Sequence, residues 1–224
     1  MSDYRVIEVK QSVLASNEQK ADELRSKMKE KGTLLINLMS SPGSGKTTML
    51  RRTIKALKGE LDIAVMEADI DSDVDAAAIS EVGAQTIQLH TGGMCHLDAA
   101  MCAQGLEGLA AGDTDVIFLE NVGNLVCPAE FDTGAGVNIT ILSVPEGDDK
   151  PLKYPLMYQG CDLVLVNKTD VMPYFDFDLD TLCKNVAMRN PKARVIPISA
   201  QTGEGMDAWY QWLRERVAAW KTEK

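Results

Sequence analysis

The sequence predicts an α/β fold, a mainly parallel sheet with helices on both faces. Two observations carry that prediction. Apolar runs at 34–39, 61–66, 84–89, 115–119, 137–144, 162–166 and 194–198 read as strands. Helical stretches separate most of them, the alternation that builds a parallel sheet covered on both sides. The first run, Leu34-Leu35-Ile36-Asn37-Leu38-Met39, also leads straight into Ser40-Ser41-Pro42-Gly43-Ser44-Gly45-Lys46-Thr47-Thr48, behind which Met49, Leu50, Ile54 and Leu57 recur at helical spacing. Strand, glycine turn and helix in that order is the context in which backbone N–H groups converge on an anion.

The remaining elements follow from periodicity. Residues 11–31 place Val13, Leu14, Ala21, Leu24 and Met28 among charges and stop at Gly32, which predicts an amphipathic helix packed on the sheet. Residues 205–221, with Trp209, Trp212, Leu213, Val217 and Trp220, predict a final helix whose tryptophans cover the core. The 224 residues fit one domain, read as an N-terminal helical extension over 1–32 and a nucleotide domain over 33–224. A net charge of −10 argues against sequence-independent binding to nucleic acid or anionic membrane, both of which attract basic surfaces. No apolar run is long enough to span a bilayer, and the polar start Met1-Ser2-Asp3-Tyr4-Arg5 has no signal-peptide core, so a cytosolic location is expected. Five scattered cysteines fit reduced thiols or metal ligation better than a disulfide framework.

The glycine-rich stretch refines the fold to a three-layer α/β/α phosphate-loop NTPase. The amides of Gly43, Ser44, Gly45 and Thr48 can line the phosphates, Lys46 can neutralise the β and γ groups, and Thr47 can place a hydroxyl on Mg²⁺. Ser40 stands where the usual pattern begins with glycine. Farther along, Val164-Leu165-Val166-Asn167-Lys168-Thr169-Asp170 is a strand ending in Asn-Lys-x-Asp, similar to the guanine-specificity motif of GTPases. The Asp170 carboxylate can accept from both the N1–H and the 2-amino group of guanine, a pair that adenine does not offer. Asn167 and Lys168 would brace the loops, and Ser199-Ala200 would lie beside the base. GTP and GDP are the expected nucleotides. For Mg²⁺ the candidates besides Thr47 are Glu120, at the end of Val116-Ile117-Phe118-Leu119, and Asp69, the first choice within the acidic segment 66–75. Asp75 is the candidate to orient the attacking water. The remaining acids of that segment are read as solvated or helix-capping. Lys46, Thr47, Asp69, Asp75 and Glu120 thus form the predicted catalytic set. With no glutamine placed to position water, slow turnover is expected.

Thr91-Gly92-Gly93-Met94-Cys95-His96-Leu97-Asp98 sets a thiol and an imidazole side by side at a turn, and Asn124-Leu125-Val126-Cys127-Pro128 supplies another thiol close behind Glu120. Such donors suit Zn²⁺ or Ni²⁺, and the pattern alone leaves metal binding and plain core packing open. His90 is read as a core histidine and Cys102 as a core thiol.

Together with the loop motifs, GGMCHLDA at 92–99, ENVGNLVCPAEFD at 120–132, SVPEGDDK at 143–150 and NKTD at 167–170 make the chain resemble the HypB family of hydrogenase nickel-incorporation GTPases, in the SIMIBI branch of phosphate-loop NTPases. The likeness spans most of the chain. It implies Cys95, His96 and Cys127 as ligands of Ni²⁺ or Zn²⁺, GTP hydrolysis coupled to nickel delivery into a hydrogenase large-subunit precursor, and a homodimer formed on GTP binding. Lys153 is then a candidate to reach the partner's nucleotide. Some relatives of this kind carry an N-terminal cysteine motif or a histidine-rich tract. This sequence has neither, its first cysteine being Cys95 and its histidines His90 and His96, so a companion nickel donor is expected. Two other readings are a passive metal carrier whose nucleotide only sets its conformation, and the related urease or cobalamin-mutase accessory GTPases.

Overall fold

The computed structural model describes residues 9–70, 74–109 and 112–222. Its strands are β1 (Leu34–Ser40), β2 (Ile63–Asp69), β3 (Gln85–His90), β4 (Val116–Glu120), β5 (Val137–Ser143), β6 (Leu163–Asn167) and β7 (Arg194–Pro197). They form one 7-stranded sheet in the order β3-β2-β4-β1-β5-β6-β7, with every pairing parallel. The helices are α1 (Val9–Lys31), α2 (Lys46–Leu57), α3 (Val74–Ser80), α4 (Ala99–Leu109), α5 (Cys127–Glu130), α6 (Lys150–Lys153), α7 (Pro155–Gln159), α8 (Leu179–Arg189) and α9 (Met206–Thr222).

Strand alternation divides the core. Leu34, Ile36 and Leu38 of β1 pack with Met49, Leu50, Ile54 and Leu57 of α2 and with Trp209, Leu213 and Val217 of α9. Leu35 points to the opposite face, among Leu24 and Met28 of α1 and Leu109 of α4. Beyond it on that face, Val164 and Val166 of β6 meet Met157 and Tyr158 of α7 and Leu182 and Val186 of α8. Burying each such side chain contributes about 1.5–3 kcal/mol, which is why the central strands read as continuous apolar runs. The fully buried Trp209 satisfies its indole N–H on Thr53 Oγ1 at 2.8 Å, fixing α9 to α2.

Two expectations need correction. The second strand does not end at 66. It starts at Ile63, after Asp62 N bonds the Asp115 carboxylate at 2.7 Å in a bend, and its ladder continues through Glu67 and Asp69 because β3 and β4 pair with it there. Glu67 is paired with both β3 and β4, and Asp69 with β3 alone. His90 is not in the core either. It is exposed at the end of β3, the edge strand of the sheet. Cys102, by contrast, is fully buried on α4, and burial pushes its thiol well above the usual range.

Candidate nucleotide and metal sites

Because β1 has β4 on one side and β5 on the other while the chain runs β1 to β2, the strand order reverses beside β1, and its carboxyl end opens a crevice. The glycine-rich loop lies there. Gly45 precedes α2 with φ 97°, and a Cβ at this position would stand 2.5 Å from Asn167 Nδ2, so only glycine fits. Ser40 explains its own departure from the usual pattern. Its buried hydroxyl accepts from Lys46 Nζ at 2.9 Å and from Ser44 Oγ at 2.7 Å while donating to Ser41 O at 2.8 Å, which holds the lysine across the loop.

The base-side loops are stitched to this one. Asn167 donates to Ser44 O at 2.8 Å and accepts from Lys168 N at 2.8 Å and Ala200 N at 3.0 Å. Lys168, at φ 63° in the left-handed region, donates to Gly43 O at 2.7 Å. Ser199 Oγ donates to Asp170 Oδ1 at 2.6 Å, fixing the carboxylate. Arg52 on α2 also clamps the loop after β7, donating to Ala200 O at 2.8 Å and Gln201 O at 2.9 Å. Sequence reasoning passed over Arg52, which reads as a solvated helix arginine.

Across the loop, a cleft of about 560 Å³ is lined by Lys46, Thr47, Glu67, Asp69, Asp75, Glu120 and Gly123 among others. Thr47 Oγ1 donates to Glu120 Oε1 at 2.9 Å. The tight acidic group is Glu67, Asp75 and Glu120, whose carboxylate oxygens lie within 4.8 Å of one another. Asp69, the first choice from the sequence, lines the same cleft at the end of β2, and Glu67 is the residue of that strand whose carboxylate joins Asp75 and Glu120. The signal for Glu67 is the pairing of β2 with β4, which sets it in register opposite Glu120. Asp71 and Asp73 lie outside the described residues.

Two carboxylates facing each other across a ladder repel. Both are buried, and Glu67 Oε2 and Glu120 Oε2 have no hydrogen-bond partner. Burial and then the charge of Glu120 push Glu67 far above the usual carboxylate range. Burial likewise raises Glu120, against the opposing pull of Lys46. Orphaned carboxylate oxygens beside a threonine hydroxyl form an all-oxygen donor set, which fits a hard divalent cation such as Mg²⁺.

The other site lies along the chain from Glu120. The metal-ligating atoms of Cys95, His96 and Cys127 lie within 4.8 Å of one another, with Cys95 Sγ 3.9 Å from His96 Nδ1. All three are half-buried, so an ion can enter. The His96 ring stacks on Phe131, centroids 3.9 Å apart and planes 16° apart. Partial burial lowers the His96 pKa, favouring the neutral imidazole that binds metal. Hydrogen bonding to Cys95, then burial, raises the Cys127 thiol. Two thiols and an imidazole are soft-to-borderline donors suited to nickel or zinc. Glu120 and Cys127 are joined by only the short segment between them, so the two sites share a loop.

A glycine-rich anion loop after β1, an Asn-Lys-x-Asp turn after β6 and a Ser-Ala pair after β7 define a phosphate-loop nucleotide-binding protein of the GTPase class. The family model for the CobW/HypB/UreG nucleotide-binding domain matches residues 34–197. The hydrogenase maturation factor HypB of Rhizobium leguminosarum bv. viciae is 47% identical over 218 residues, covering 97% of this chain and 73% of the relative. That of Escherichia coli K12 is 45% identical over 219 residues, covering 98% and 76%. The crystal structure of HypB from Helicobacter pylori in complex with nickel superposes with a TM-score of 0.85 at 34% identity, covering 93% of this chain and 99% of that one. The chain belongs to the CobW/HypB/UreG family of GTPases and, within it, to the HypB hydrogenase maturation factors. Among the described residues no helix is long and apolar enough to cross a membrane.

Proposed function

We propose that the chain hydrolyses GTP and uses its nucleotide state to govern a nickel ion carried by Cys95, His96 and Cys127 toward a [NiFe] hydrogenase precursor. The observation that carries this reading is the shared loop, which starts with Glu120 in the nucleotide cleft and reaches Cys127 in the metal trio. In the cleft, Lys46 and the amides of the glycine-rich loop stabilise charge developing on the γ-phosphate during in-line attack by water. Thr47 and Glu120, with Glu67 behind them, would hold Mg²⁺, which when bound neutralises the β and γ oxygens. Asp75, exposed at the start of α3 and lining the cleft, would orient the water. Asp170 selects guanine.

Asp170→Asn tests the base assignment. An amide donor at this position pairs with the 2-oxo group of xanthine, so the variant should lose about 100-fold or more in GTP affinity, the size of two charge-assisted hydrogen bonds, while gaining affinity for xanthosine triphosphate. Unchanged guanine preference in an equilibrium nucleotide titration contradicts it.

Three protein ligands leave a tetrahedral ion one short, which a water or a second copy of the chain can complete. The H. pylori structure bears nickel, and zinc competes well for a thiolate pair, so either ion is expected to bind. A dimer formed with GTP has exposed apolar side chains available in Leu152 of α6 and Leu156 of α7, which are 43% and 49% exposed. Lys153 lies between them, paired with Asp149. Phosphate release and light scattering, each with GTP, Mg²⁺ and nickel, test the whole reading. It expects slow turnover and a doubling of mass with a GTP analogue. GTP binding without phosphate release, even with the hydrogenase precursor present, would leave a passive carrier instead. The precursor and a companion nickel donor are the partners this function requires.

A further inference from the structure

Resting on the nickel reading of Cys95, His96 and Cys127, we infer that Asn17 on α1 is a positioning residue that sets the spacing between the two halves of the metal site. The ligands arrive on two separate segments, 95–96 ahead of α4 and 127 at the start of α5. Asn17 bridges those segments from α1. Its side chain is buried, 6% exposed, although an asparagine in an amphipathic helix ordinarily faces water.

Both ends of its amide are used, one on each segment. Asn17 Oδ1 accepts from Ala99 N at 2.9 Å, the first amide of α4, three residues beyond His96. Asn17 Nδ2 donates to Asp132 O at 2.8 Å, the residue after Phe131, on which the His96 ring is stacked. A planar amide bonded at both ends is a spacer of fixed length, and it pairs the Ala99 N–H on one side and the Asp132 carbonyl on the other. Arg25, two turns along α1, reinforces the second segment. It binds the Asp132 carboxylate at 2.6 and 2.7 Å and Ala135 O at 3.0 Å. Helix α1 thereby belongs to the metal-binding unit, although none of its described side chains is in the ligand set.

The test is a competition titration of Ni²⁺ against a chromophoric chelator, using the full chain as wild type, Asn17→Ala, Asn17→Asp and Cys95→Ser. The thiolate-to-nickel absorption and GDP affinity are read alongside. Outer-shell partners of metal ligands typically contribute about 10–100-fold in affinity. Asn17→Ala is therefore expected to bind nickel at least about tenfold more weakly, with an altered charge-transfer band and GDP affinity unchanged. Asn17→Asp keeps the Ala99 bond and turns the Asp132 contact repulsive, so it should show the same weakening. It is also the variant that decides if Asn17→Ala fails to fold. Nickel affinity within twofold of wild type, with an unchanged band, in a folded Asn17 variant overturns the inference while leaving the function standing. A wild-type chain that takes up no nickel, or whose uptake ignores Cys95→Ser, overturns the function and this inference with it.

Discussion

Lys46→Ala is expected to remove GTP hydrolysis, by about 10²–10³-fold at the least, the loss usual for one preorganised donor aimed at transition-state charge. The lysine is 9% exposed and is held over the loop by Ser40, so its ammonium is in place before any nucleotide arrives. An alanine there leaves the loop amides without the charge of this lysine. The fold should survive. Burial already drives Glu67 and Glu120 toward their neutral forms, and losing the opposing charge of Lys46 lets them hold protons more firmly without stranding a charge. Phosphate release from purified variant, with circular dichroism as the check on folding, measures the effect. Wild-type turnover in a folded Lys46→Ala protein removes the hydrolytic assignment.

The second large effect is at the thiols. Cys95→Ser and Cys127→Ser should each weaken nickel binding by on the order of 100-fold. Four-ligand thiolate and imidazole sites bind zinc with about 10–16 kcal/mol, so one ligand accounts for about 3 kcal/mol. Serine keeps the size of the side chain and offers an oxygen that stays protonated at neutral pH. GDP affinity should stay near wild type in both variants, because neither cysteine lines the nucleotide cleft. Chelator competition gives the affinity, and the thiolate-to-metal absorption should fall with each cysteine removed. If both serine variants bind nickel as wild type does, Cys95 and Cys127 are packing residues, the reading that the sequence pattern left open.

The parts of the molecule legible in the sequence are those written in consecutive residues. The glycine-rich loop, the Asn-Lys-x-Asp turn and the Ser-Ala pair each follow an apolar strand, and a parallel sheet brings all strand ends to one edge, so their convergence follows from order alone. Cys95 and His96 are adjacent, and Cys127 follows the glutamate that ends β4. What depends on which strands pair is not legible. Glu67 reads as one acid in an acidic run until β2 pairs with β4, and only the register sets it opposite Glu120. The extension of β2 to Asp69 is hidden for the same reason. Asn17 is a polar residue on a helix face, and its role arises from two distant backbone groups that the fold brings to either end of its amide.

Residues 120–127 run from the nucleotide cleft to the metal trio, and the proposed function requires the two to communicate through them. The most direct measurement is nickel titration of the apo, GDP-bound and GTP-bound chain, with nucleotide affinity measured in turn with and without nickel, for wild type and Cys127→Ser. Linkage requires the two effects to be equal, so the account predicts a nickel affinity that changes between nucleotide states and a GTP affinity that changes with nickel by the same factor. In Cys127→Ser that factor should collapse to one while nucleotide still binds. Equal nickel affinity in all three wild-type forms contradicts it.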